Sequence, residues 1–303
     1  MEYNSDIREV TNMRFPKGFV RIIKEYGCRG KKIAITGASG GLGVELCRLI
    51  LGAGGELIVV DRNEYKQKAL IEKLENEFAG TKIVGELADM SQIDDVKSLA
   101  KRLKQHNITD LILNAGAYNI PKHKCDTGYN NVFTINCISP LYLTKALLPT
   151  IKRNGGQVIA VGSIAHRYSH ADSADIDFST REKPSHIYGN AKRYFMYSFF
   201  KMREEGEPVV VAHPGISFTG ITAHYPDWLF KIIKYPMKVV FMKPKKACLA
   251  IYYSLFCKPL DRFWIGPWAL DVWGLPGVNE LRSCKEDEYK FINRITKRIL
   301  EEI

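Results

Sequence analysis

At 303 residues, 46% apolar and 25% charged, the chain can bury a substantial core in one large or two small domains, which excludes a disordered or fibrous polymer. Its seven cysteines are scattered, odd in number and without a C-x-x-C pair, which argues against a disulfide framework or zinc site and fits a reducing compartment. A net charge of +11 suits an anionic partner, whether dinucleotide, acidic lipid surface or nucleic acid, but no helix-turn-helix, RNA-binding signature or zinc finger supports the last. No apolar run reaches the ~18–20 residues that cross a bilayer. The first 30 residues are charged throughout rather than signal-like, so a cytoplasmic location is expected.

Residues 1–30 read as a basic extension in which Phe15, Phe19 and Ile22 or Ile23 have the spacing of a short amphipathic helix. Lys32–Thr36 is then a short apolar strand, followed by a glycine-rich turn and a helix from about Leu42 to Leu51. Further strands are expected at Leu57–Val60, Lys82–Gly85, Leu111–Leu113, Gln157–Val161 and Pro208–Ala212. Helices separate them at Lys66–Phe78, Ser91–His106 with Ser91 as N-cap, Val132–Ile151 and Tyr188–Glu204. Apolar strands with little alternation, each followed by a helix, predict a doubly wound parallel α/β sheet of the Rossmann type in a single domain.

The turn after the first strand reads Thr36-Gly37-Ala38-Ser39-Gly40-Gly41-Leu42-Gly43. Glycines at that place let backbone approach a pyrophosphate, which sits on the positive end of the next helix, so Gly37, Ser39, Gly41, Leu42 and Gly43 are expected to contact a dinucleotide. A plain strand-to-helix turn does not need four glycines in seven residues. Asp61 ends the second strand, where a carboxylate accepts ribose hydroxyls and repels a 2′-phosphate. That favours NAD, while Arg62 directly after it keeps NADP open.

Several downstream segments fall in one order: Asn114-Ala115-Gly116 after the fourth strand, Asn136 in the next helix, and Ser163 after the fifth strand. Tyr188-Gly189-Asn190-Ala191-Lys192 then supplies Y-x-x-x-K, and Pro214-Gly215-Ile216-Ser217-Phe218-Thr219 follows the sixth strand. Together these resemble the short-chain dehydrogenase/reductase family over about residues 31–220. The 25-position gap from Ser163 to Tyr188, with Ala165-His166 and Asp175-Ile176-Asp177-Phe178 inside it, is similar to the retinol-dehydrogenase-like branch. That branch usually prefers NADP, in conflict with Asp61.

The resemblance implies an NAD(P)-dependent oxidoreductase that moves a hydride between the nicotinamide and an alcohol/ketone or aldehyde pair, on a bulky lipophilic substrate. Tyr188 would be the proton-transfer residue. Lys192, four residues on and so on the same helical face, would together with the oxidised nicotinamide draw its pKa down from the ~10 of a free phenol. Ser163 would bind the substrate oxygen, and Asn136 would hold a proton-relaying water. Asp89 with Met90 would meet the adenine, Asn114 to Gly116 the adenosine ribose and backbone, and Pro214, Gly215 and Thr219 the nicotinamide end. His166 and His170 lack a metal-ligand pattern and are expected to be ordinary loop residues; no metal is expected.

In the C-terminal third, Trp228-Leu229-Phe230-Lys231-Ile232-Ile233-Lys234 opens a basic, apolar segment. It predicts a substrate lid over about residues 217–256, a peripheral membrane surface, or contacts in a homo-oligomer. Residues 263–277, with three tryptophans, are expected to add the last strand and end the domain near 275, leaving 276–303 as a helical tail. Two other functions compete: a catalytically silent NAD(P) sensor, and a sugar-nucleotide epimerase or dehydratase. The first usually lacks the tyrosine or lysine, and the second has a longer substrate domain.

Overall fold

Among the described residues, every strand pairs with neighbours in one eight-stranded sheet of order β3-β2-β1-β4-β5-β6-β7-β8, parallel throughout except for the antiparallel β7–β8 hairpin. The computed structural model describes residues 26–215, 242–259 and 262–303. The strands are β1 (Lys32–Thr36), β2 (Glu56–Asp61), β3 (Ile83–Leu87), β4 (Asp110–Leu113), β5 (Val158–Val161), β6 (Val209–Ala212), β7 (Phe263–Ala269) and β8 (Trp273–Glu280). The helices are α1 (Gly41–Gly52), α2 (Glu64–Glu77), α3 (Ile93–Gln105), α4 (Asn131–Phe133), α5 (Ser139–Arg153), α6 (Pro184–Glu204), α7 (Pro244–Tyr253) and α8 (Glu286–Glu302). The doubly wound parallel architecture expected from the strand pattern is therefore present.

Central strands are buried on both faces, which is why they read as unbroken apolar runs rather than alternating ones. Alternate residues still go to opposite sides. Ile33, Ile35 and Val59 pack under α1, α2 and α7, while Ala34, Ile58 and Val60 pack under α3, α5, α6 and α8.

Helix α3 buries the stripe Ile93, Val96, Leu99, Ala100 and Leu103. Asp94 and Asp95 in its first turn, with Arg102 and Lys104 in its last, complement the helix dipole. It begins at Ile93 rather than at Ser91, because Asp89 captures Ser91 first: the Ser91 amide and hydroxyl both donate to Asp89 Oδ1, at 2.8 and 2.7 Å. Helix α6 is buried nearly all round, from Ile187 through Phe200, as suits the helix that carries Tyr188 and Lys192 into the middle of the molecule.

Three expectations for the C-terminal third need correction. The tryptophan-rich segment forms two strands, and β8 runs through the proposed boundary at 275, so 276–303 is no separate tail. Helix α8 packs Tyr289, Ile292, Ile295 and Ile299 into the core shared with α6. Helix α7, inside the supposed lid, is a core element: Cys248, Leu249, Ile251 and Tyr252 pack with Leu46, Cys47 and Ile50 of α1. The rest of the lid up to residue 241, Thr219 and the extension before Tyr26 lie outside the described residues. Among the described residues, no helix is long and apolar enough to cross a membrane.

Candidate active site

A cleft of about 800 Å³ opens where the carboxyl ends of β1, β2, β4 and β5 meet the helices that follow them. Its outer end is the glycine turn. The N-terminus of α1 has no side-chain cap at Gly40 and no acid in its first turn, which leaves a positive helix end facing the cleft through Gly41 and Leu42. Gly37 has φ +65°, and a β-carbon there would lie 2.9 Å from Ala115 Cα. Gly43 does not line the cleft. A β-carbon there would come within 2.5 Å of the carbonyls of Gly37 and Ala38, so it is needed to let α1 close onto the turn.

Asp61 reaches across to this turn. Its carboxylate accepts from the Ser39 hydroxyl at 2.8 Å and from the Ser39 N–H at 3.2 Å. Burial raises its pKa, and the Ser39 contacts oppose that. Arg62, Asn63 and Lys66 line the same rim. Asn114 turns its amide to the chain itself, donating to the carbonyls of Thr36 and Gly37 at 3.1 and 2.9 Å, and so ties the β4 end to the glycine turn.

The inner end gathers Ser163, Tyr188, Lys192, Pro214 and Gly215. Ser163 caps a 3₁₀ turn (Ile164–Arg167), its Oγ accepting from the Ala165 N–H at 3.2 Å. Tyr188 is buried beneath Tyr118, whose ring stands perpendicular to it at 5.5 Å. Burial pushes the Tyr188 phenol up to about 12, with Ser163 pulling the other way. Lys192 lies with its Nζ 5.9 Å from the Tyr188 ring and donates to the Val161 carbonyl at 2.9 Å; burial lowers its pKa to about 8. Burial is the largest influence on the Tyr188 phenol, and the positive charge expected from Lys192 together with an oxidised nicotinamide would act against it.

Asn136 stands behind the site rather than in it. It occupies a π turn (Thr134–Ile138), where Nδ2 donates to Ala117 O and Val132 O at 2.9 and 2.8 Å and Oδ1 accepts from the Ala117 N–H at 3.3 Å. Both N–H groups of the amide are taken up within the chain, which clasps the Ala117 backbone to the π turn. Its position is still adjacent: a β-carbon on Gly116 would lie 2.8 Å from Asn136 Oδ1 and 4.0 Å from Lys192 Nζ.

Of the residues singled out from sequence, Gly37, Ser39, Gly41, Leu42, Asp61, Arg62, Asp89, Met90, Asn114, Ala115, Gly116, Ser163, Tyr188, Lys192, Pro214 and Gly215 line one cleft. Tyr118, Ile120, Ile164, Tyr168 and His213 line it too and were missed. His213 directly precedes Pro214 and Tyr118 lies two residues after Gly116, and that nearness to recognised motifs is the signal that could have found them. His166 is no ordinary loop residue. It is fully buried, held near pKa 4 by desolvation, with Nδ1 2.7 Å from the Ser163 carbonyl and Nε2 2.9 Å from Ser283 Oγ.

The short chain dehydrogenase family model matches residues 31–174. Over that span, and in its curated relatives, the chain resembles the short-chain dehydrogenase/reductase family. It is 24% identical to human polyprenol dehydrogenase over 279 residues, covering 88% of this chain and 80% of that one. It is also 24% identical to human retinol dehydrogenase 13 over 203 residues, covering 64% and 61%. Among solved structures it shares its fold with a short-chain dehydrogenase from Sphingobium yanoikuyae in complex with NADPH, at TM-score 0.56 and 21% identity over 73% of this chain and 82% of that one. The chain is accordingly an NAD(P)-dependent oxidoreductase acting on alcohol or carbonyl groups, and it is similar to the retinol-dehydrogenase-like branch.

Proposed function

We propose that Tyr188, Lys192 and Ser163 form the reacting end of this cleft and act on a lipophilic alcohol or carbonyl compound, with NAD bound along the glycine turn and Asp61. The observation that carries the reading is the convergence of Ser163, Tyr188 and Lys192 at one end of a groove whose other end is an uncapped helix N-terminus. The groove fits a dinucleotide: β-carbons at Gly37 or Gly116 would strike its backbone or side-chain walls. When bound, the nicotinamide supplies or accepts the hydride.

The chain's residues handle the proton and the charge. Ser163 Oγ donates to the substrate oxygen and stabilises the charge that develops on it. Tyr188 O–H gives that oxygen its proton in reduction and takes it in oxidation. A phenol pushed up to about 12 is protonated at neutral pH, so the form that gives a proton is present and the form that takes one is scarce. Positive charge from Lys192 and from an oxidised nicotinamide would oppose the burial and favour the tyrosinate needed for oxidation. Asn136 positions the Gly116–Ala117 backbone against this end.

Asp61 supports NAD, since its carboxylate is fixed at the end of β2 where it would accept ribose hydroxyls and repel a 2′-phosphate. Arg62 and Lys66 on the same rim, and the NADPH in the Sphingobium structure, are the grounds for the NADP alternative. A lipophilic substrate is supported by the apolar wall of Tyr118, Ile120, Ile164 and Tyr168, and by the alcohols named in the two human relatives. Peripheral contact with an anionic membrane is supported by the basic sequence from Lys231 to Lys246 and by the exposed Trp268 and Leu270. Titration with NADH and NADPH, followed by energy transfer from tryptophan, tests the reading. Tighter NADH binding is expected, and binding of neither would overturn it.

A further inference from the structure

Arg193, the residue after Lys192, is fully buried and gathers three separate stretches of chain. Its Nε and Nη2 donate to the two oxygens of Glu288, each at 2.6 Å, in a bidentate pair. Its Nη1 donates to the His166 carbonyl at 3.0 Å, and Nη2 also donates to the Ser283 carbonyl at 2.6 Å. Glu288 in turn accepts from the Ala171 N–H at 2.8 Å. A second strand of contacts runs alongside: the Ser163 carbonyl to His166, His166 to Ser283 Oγ, and Ser283 Oγ to Tyr197 O–H at 2.7 Å.

A buried ion pair is weak evidence for stability, because desolvating both charges offsets most of their attraction. What the planar guanidinium adds is direction. Its donors point at the carboxylate, at the loop that carries Ser163, and at the segment leading into α8. We propose that Arg193, clamped by Glu288, is a positioning residue that sets Ser163 against Tyr188, making the C-terminal helix part of the reacting assembly. This rests on the oxidoreductase reading of the same site. Neither Arg193 nor Glu288 lines the cleft, so the effect passes through the 163–171 loop and α6.

The test uses the full chain labelled with ¹³Cζ-tyrosine and saturated with NAD⁺, the Tyr188 signal being assigned by its loss in Tyr188→Phe. Because the Ser163 contact lowers the Tyr188 pKa, loosening the clamp raises the titration midpoint, by about one pH unit in Arg193→Lys and in Glu288→Gln. NAD⁺ affinity should change less than about threefold, since the glycine turn is untouched. A midpoint equal to wild type in a folded variant, even one with a lower Tm, would overturn the proposal and leave the pair a structural contact. If Glu288→Gln does not fold, Ser283→Ala carries the same test. It leaves the ion pair intact, cuts the second contact of His166, and should move the midpoint in the same direction by less. Failure of the wild type to bind either NADH or NADPH has a different signature and would overturn the oxidoreductase reading beneath it.

Discussion

Gly189 lies against the carbonyl of Ala165 so closely that a β-carbon there would sit 2.3 Å from its oxygen. Helix α6 therefore meets the Ser163 loop backbone to backbone, one residue after Tyr188. A glycine inside a helix ordinarily costs about 0.5–1 kcal/mol against alanine, and here the contact requires it. Gly189→Ala should push the loop off α6 and separate Ser163 from Tyr188. Turnover is expected to drop by about tenfold or more, beyond what a Tm loss of several degrees explains. Steady-state rates measured well below the Tm, beside thermal melts, check this.

Asp61→Ser removes the carboxylate that opposes a 2′-phosphate while Arg62 and Lys66 remain on the rim. The NADPH-to-NADH preference should rise by about tenfold to a hundredfold, a shift of about 1.4–2.8 kcal/mol. Competitive fluorescence titration of the two cofactors measures it, and an unchanged ratio would assign the selection elsewhere.

Burial places the pKa of Lys192 at about 8, below the value near 10.4 of an unfolded lysine. Between those two values the unfolded chain binds more protons, so wild-type stability rises with pH across that window and the buried ammonium is a burden below it. Lys192→Met should accordingly melt higher than wild type at pH 7 despite losing the bond to the Val161 carbonyl, and the difference should narrow by about pH 9.5. Paired melts at the two pH values decide the sign.

His166 and His213 are both held near pKa 4 by desolvation, below the ordinary 6.5. Each must take up a proton on unfolding below pH 6.5, so stability falls as pH drops from 6.5 toward 4. Glu288, held at about 2 chiefly by Arg193 against the opposing effect of burial, adds a second loss as pH falls from 4.5 toward 2. Urea unfolding across pH 7 to 3 should show two successive declines. His166→Asn should flatten the first and Glu288→Gln the second.

Most of the sheet was legible in the sequence because doubly covered parallel strands leave unbroken apolar runs, as in Leu57–Val60. Tyr188, Lys192 and Ser163 were legible because local spacing places them: four residues on one helix, and one strand end. Arg193 and Glu288 were not, since 95 positions separate them and a lone arginine on a helix reads as a surface charge. His166 looked like a loop residue because its burial depends on Ser283 and Trp264, which arrive more than 90 residues later. Helix α7 was misread as lid because its lysines crowd the first turn, while the buried face, Cys248 to Tyr252, shows only against α1. Asn136 lies in a π turn behind the site, and nothing in its sequence neighbours reveals that backbone groups of Ala117 and Val132 take up its amide.

The most direct test of the central claim compares wild type with Tyr188→Phe in aldehyde-dependent oxidation of NADH or NADPH, using decanal and retinal as probes and measuring cofactor affinity in parallel. The account predicts turnover in the wild type, a fall of about 10²–10⁴-fold in the variant, and cofactor binding within a few-fold of wild type. Turnover in Tyr188→Phe equal to wild type would contradict the assignment of proton transfer to Tyr188.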